Sequence, residues 1–124
     1  MIRGIGIDMI EVERVAAKIG KNSGFRELVF SADEIEYCER MTFPGEHYAA
    51  RFAAKEAFFK ALGTGWKTGT AFNEVEVVHD ADSKPSLKLT GETAVALAEI
   101  ARYRITVSLS HIKSVATAIV IIET

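Results

Sequence analysis

The sequence predicts one α+β domain in which a mainly antiparallel sheet packs against a long central helix. Three observations point there. The chain has 124 residues, enough for a single core. Strand patterns occur at its start and again through its second half. Between them, residues 46–62 carry the longest helical pattern.

Residues 2–9 read as a strand with Ile5, Ile7 and Met9 on one face and Gly4, Gly6 and Asp8 on the other. Residues 11–20 read as a helix ended by Gly20, and residues 22–30 as a short helical turn. Ser31-Ala32-Asp33-Glu34 matches a capping box and opens a helix to about Met41. Pro44-Gly45 reads as a break. The long helix runs from Glu46 to Leu62, is closed by Gly63, and leads into a Gly- and Thr-rich loop, Gly63 to Ala71. Glu74–His79 and Ser86–Leu89 form a hairpin about a turn at Asp80–Lys84. Thr90 or Gly91 opens a helix through Arg102, and apolar strands at 104–110 and 115–122 close the chain. The last, Ala116 to Ile122, is apolar on both faces and must be covered on both. It is either a central core strand or one buried against a second subunit.

A formal net charge of −2 lacks the basic footprint of a general nucleic-acid binder. Three His and one Cys cannot build a zinc finger, and Cys38 has no partner for an internal disulfide. No stretch approaches the roughly 18 apolar residues of a membrane span, and the N-terminus has no signal-peptide pattern. The expectation is a cytoplasmic protein with neither nucleic acid nor membrane as partner.

Two acids stand in unusual places. Asp8 ends a strand, although Asp is a poor strand residue, and its face carries Gly4 and Gly6. It either caps the next helix near Glu11 or faces a ligand. At 100° per residue, Glu56 lies in a stripe with Ala49, Phe52, Ala53, Phe59 and Gly63, beside Lys60. A carboxylate there needs a partner. Either Lys60 pairs with it one turn on, or Asp8 and Glu56 together hold a hard cation such as Mg2+, with Lys60 beside it facing a phosphate.

Residues 4–14, Gly-Ile-Gly-Ile-Asp-Met-Ile-Glu-Val-Glu-Arg, resemble the first signature of the phosphopantetheinyl transferases. Residues 52–63, Phe-Ala-Ala-Lys-Glu-Ala-Phe-Phe-Lys-Ala-Leu-Gly, resemble the second. With Ser108-Leu109-Ser110-His111 and the chain length, the likeness is to the small bacterial type and spans essentially the whole chain. It implies a phosphopantetheinyl transferase-like fold that forms homotrimers, with coenzyme A bound at the subunit boundary. It also implies a reaction serving fatty acid biosynthesis. Coenzyme A carries Mg2+ on its pyrophosphate, a serine of an apo-acyl carrier protein attacks the β-phosphorus, and 3′,5′-ADP leaves. Asp8 and Glu56 match the family's metal ligands and Lys60 a lysine near the phosphates, so all three enter the expected catalytic set. Arg51 and His111 match positions near the nucleotide, and Gly63 closes the second signature. Glu56, or a water it orients, is expected to take the serine proton. Ser83 stands where the family commonly has Gly before Lys-Pro, which weakens the case for a nucleotide contact by Lys84. His47 and His79 read as plain surface residues.

Arg14, Lys18 and Lys21 recur at i, i+4 and i+7 and make one basic stripe on the first helix. It is either a solvated face or a dock for an acidic carrier. The family uses an arginine matching Arg14 for that contact, and Phe25 and Met9 are candidate apolar anchors. Two other readings are a non-catalytic trimeric scaffold, which gives no reason for an acid at position 56, and a metal-dependent pyrophosphate hydrolase, which would use the same acids but would not need the basic stripe.

Overall fold

A computed structural model describes residues 1–124. The first strand, β1, runs Ile2–Glu11, two residues further than predicted. The helices α1 (Val12–Gly20), α2 (Phe25–Val29) and α3 (Ala32–Glu39) follow. The capping box forms as read: the Ser31 hydroxyl accepts from the Glu34 amide and the Glu34 carboxylate accepts from the Ser31 amide.

The long helix, α4, spans Pro44–Leu62. Pro44 is therefore not a break. It occupies the first turn, where a missing N–H costs nothing and a fixed φ helps. Gly63 ends the helix at φ +81°, a left-handed conformation that favours glycine. A 3-10 turn at Phe72–Glu74 leads into the hairpin β2 (Val75–His79) and β3 (Pro85–Leu89). The single helix predicted next is two short ones, α5 (Gly91–Ala96) and α6 (Ala98–Ala101). Leu97 leaves the helical region between them (φ −112°, ψ 34°) and carries its side chain into the core.

The strands β4 (Arg104–His111) and β5 (Val115–Glu123) complete an antiparallel sheet in the order β1-β5-β4. β5 is thus the central strand, and this chain covers only one of its faces. Ala116, Ala118, Val120 and Ile122 are buried, whereas the alternate residues are half-buried. Register places Ile5 opposite Ile121 and Ile7 opposite Ile119, so the open face of the sheet is apolar.

α4 organises the core. Its first half, through Tyr48, Ala49 and Ala50, packs with Val12, Val15, Phe30 and Cys38. Its second half, Ala53 to Ala61, packs with Val75, Val77, Val107 and the inner face of β5. Gly4 and Gly6 permit this. A Cβ at Gly6 would fall onto the Ala57 carbonyl oxygen, and one at Gly4 onto that of Ala61. The glycines therefore admit a helix backbone against β1, rather than leaving space for a ligand.

Candidate active site

That close approach sets the site. Along β1, Gly4 meets Ala61 and Gly6 meets Ala57. One step further on the same face comes Asp8, opposite Ala118 of β5. Because β1 continues through Asp8, this residue caps no helix. The N-cap of α1 is Glu11, which makes no side-chain cap bond.

Asp8 and Glu56 line one cavity of about 330 Å³, together with Met9, Ile10, Arg14, Val15, Lys18 and Phe52. Lys60 does not pair with Glu56, as i,i+4 spacing allowed. Its ammonium donates to Asp8 Oδ1 and to the Ile7 carbonyl, each at 3.0 Å. Glu56 makes no ion pair within the chain. Burial raises its proton affinity and the Asp8 charge raises it further, against the opposing pull of Lys60 and Lys18. A carboxylate held beside a second negative charge suits a cation between the two. The donor set is two hard oxygens facing one cavity. No cluster of three or more His, Cys, Asp or Glu is present. Two carboxylates fit a magnesium ion that takes its remaining oxygens from water and a phosphate, and do not fit an all-protein cage.

The family model for the 4′-phosphopantetheinyl transferase superfamily matches residues 4–119. The chain belongs to this superfamily. It is 43% identical to the holo-[acyl-carrier-protein] synthase of Syntrophus aciditrophicus, over 99% of this chain and 97% of the relative. The crystal structure of the Neisseria meningitidis holo-[acyl-carrier-protein] synthase is 31% identical, with a TM-score of 0.89 and full coverage of both chains. The Bacillus anthracis enzyme, solved in complex with CoA (3′,5′-ADP), is 34% identical with a TM-score of 0.82, over 100% of this chain and 98% of that one.

Against this superfamily frame, the remaining predicted residues divide. Arg14 and Lys18 stand at the wall of the acid cavity, whereas Lys21 and Phe25 do not line it. Phe25 is half-buried and packs edge-on against Phe30 and Phe52, so it belongs to the core more than to a docking surface. The Lys18 ammonium lies 5.5 Å above its ring. Met9 is 70% exposed.

Arg51 and His111 lie apart from the acids. Arg51 is 3% exposed and its Nε has no hydrogen-bond partner. Its guanidinium sits 4.0 Å from the Tyr37 ring centroid. Together with Tyr37, Arg40 and His79 it lines a second cavity of about 330 Å³, which shares no lining residue with the first. His111 Nδ1 lies 3.2 Å from Glu46 Oε1, and its ring meets His47 edge-on. Gly63 lines neither cavity and serves as the helix cap. Lys84 lies in the exposed hairpin turn, whose amides at Asp82 and Lys84 donate to Asp80 Oδ1.

Sequence reasoning missed Tyr37 and misread two histidines. His79 stacks on Tyr37 at 5.0 Å and His47 meets it edge-on at 6.0 Å. Burial and the nearby Arg51 cation lower the proton affinity of both, and His111 lowers that of His47 as well. No spacing rule links residues 37, 51 and 79.

Proposed function

We propose that this chain transfers 4′-phosphopantetheine from coenzyme A to a serine of an apo-acyl carrier protein and releases 3′,5′-ADP. It does so in the cytoplasm, in support of fatty acid biosynthesis, and requires Mg2+. The observation that carries this reading is one cavity that joins Asp8 and Glu56 and has two cationic side chains, Arg14 and Lys18, at its wall. Relatives named holo-[acyl-carrier-protein] synthase over their whole length support it.

Asp8 and Glu56 would hold the divalent ion, which supplies charge neutralisation on the coenzyme A diphosphate. The chain's own residues position and neutralise, which is most of what phosphoryl-type transfer asks of a protein. Lys60 brings a cation, 55% exposed, to the leaving phosphate. Arg14 and Lys18 hold the acidic carrier so that its serine enters beside Glu56. The serine oxygen bonds to the β-phosphorus and the bond from that phosphorus to the 3′,5′-ADP oxygen breaks. The serine proton passes to Glu56 or to a water that Glu56 orients.

The working form is a homotrimer. The open sheet face leaves Ile5, Ile7 and Met9 at 60%, 61% and 70% exposure, a contiguous apolar strip that a second copy of the chain would cover. Arg51, with its unpartnered Nε, and His111 stand outside the acid cavity. In the trimer, each coenzyme A spans a subunit boundary, with its nucleotide end on these residues.

The test is mass spectrometry of an apo-carrier incubated with coenzyme A, Mg2+ and the protein. The carrier gains one phosphopantetheine group and 3′,5′-ADP appears in equal amount. Consumption of coenzyme A without any carrier would instead identify a hydrolase.

A further inference from the structure

The most deeply concealed charge in the molecule is Lys55, the residue before Glu56. Its side chain is 0% exposed, as is that of its partner Glu34. The Lys55 ammonium donates to Glu34 Oε1 at 2.7 Å, to the Phe72 carbonyl at 3.0 Å and to the Val75 carbonyl at 2.7 Å, so all three N–H groups are used. Glu34 is equally satisfied. Its Oε1 also accepts from the Ser31 amide and its Oε2 from the Val77 amide, both at 2.9 Å. The two side chains tie α4 to the start of α3, the 3-10 turn and β2.

Such a pair adds little net stability, because desolvating two charges offsets most of their attraction. What it fixes is orientation. The contact between α4 and β1 is closest at Ala57, Ala61, Gly4 and Gly6, small residues that do not interlock, so helix rotation depends on polar links such as the exposed Lys60 bonds to Asp8 and the Ile7 carbonyl. Lys55 has three acceptors from separate elements, and they define that rotation well. Glu56 projects 100° from Lys55 about the same axis, and Lys60 lies further along. A rotation that released Lys55 would turn both away from Asp8. The Phe72 carbonyl also lies just beyond the 63–71 loop, so Lys55 fastens the far end of that loop to its own helix.

We propose that Lys55, through its buried pair with Glu34, is a positioning residue for the transfer reaction. It sets the rotation of α4, and thereby the placement of Glu56 and Lys60, while contributing little net stability. The inference rests on the reading of Glu56 and Lys60 as the reacting site.

The test compares wild type, Lys55→Met and the double variant Glu34→Gln/Lys55→Met, in which Gln keeps an acceptor for the capping amide. Each is assayed for melting temperature, kcat, and KM for the apo-carrier. Lys55→Met leaves a buried carboxylate unpaired and melts lower by about 10 °C or more. The double variant removes both charges and melts within about 5 °C of wild type. Its kcat remains at least about 10-fold down, while KM for the carrier, set on α1, changes less than about twofold. Recovery of kcat together with stability in the double variant would overturn the inference, because the pair would then be structural only. A double variant as unstable as Lys55→Met, or one that does not fold, would overturn it too, because the pair would then be a stability element. Absence of transfer by the wild type would refute the functional reading instead, and so is distinguishable.

Discussion

Gly6→Ala places one methyl group where α4 and β1 touch. The new Cβ would fall on the Ala57 carbonyl oxygen and 2.7 Å from the Ala61 amide nitrogen, 0.7 Å inside the 3.4 Å at which ordinary contact begins. Both obstacles are backbone, so no side chain can rotate aside. The helix must lift by at least that amount, and overpacking of this kind costs about 1–3 kcal/mol. The same lift separates Glu56 from Asp8, because both lie at this contact. Misplacement by about 1 Å costs on the order of 100-fold in rate. Urea unfolding and carrier loading, measured together, should show both losses. Gly20→Ala is the control. Nothing lies within 4 Å of its added Cβ, and its φ is outside the left-handed range. It should leave activity intact and stabilise by about 0.5 kcal/mol. A Gly6→Ala protein with wild-type stability and turnover would refute the reasoning.

In the presence of chelator, Glu56→Gln should melt above wild type at pH 7, and with Mg2+ supplied it should still transfer nothing. The folded protein raises the pKa of Glu56 above its ordinary 4.5, so ionisation costs stability at neutral pH. The advantage of the variant should shrink as pH falls through the raised pKa and vanish below about 4.5; a pH-independent difference would contradict this. Arg14→Glu should raise KM for the carrier about 10-fold or more and leave KM for coenzyme A nearly unchanged, and equal rises would mean the stripe is misread. Ile7→Lys, on the open sheet face, should dissociate the assembly in analytical ultracentrifugation, and an intact trimer would place the interface elsewhere.

Local chemistry was the legible part of this fold. The Ser31–Glu34 box, the Gly63 cap and the Asp80–Lys84 turn each depend on residues within a few positions, and each forms. Apolar patterning located the strands; the two-sided apolar run at 116–122 left open a central strand or burial against a second subunit, and β5 takes the centre of the sheet. Patterning could not say which β1 face was inward. The alternation set Ile5 and Ile7 opposite Gly4 and Gly6, and the isoleucines lie outward because the glycine face admits α4 more closely than any side chain would. Pairing across elements was equally hidden. Lys60 sat one turn from Glu56 in sequence, yet β1 brings Asp8 and the Ile7 carbonyl nearer to its ammonium. Lys55 had no role assigned to it beyond its place in residues 52–63. The surrounding run, Ala53 to Phe59, is apolar except for Lys55 and Glu56, and that was the one signal that this lysine is buried.

The central claim is that Asp8 and Glu56 share a divalent ion that grips the diphosphate. Isothermal titration of coenzyme A into the protein, with Mg2+ or with chelator, tests it for wild type and for the Asp8→Asn/Glu56→Gln variant. Wild type should bind at least about 10-fold more tightly with Mg2+ than with chelator, and the variant should show no such difference. Equal Mg2+ enhancement in both proteins, or none in wild type, would contradict the account.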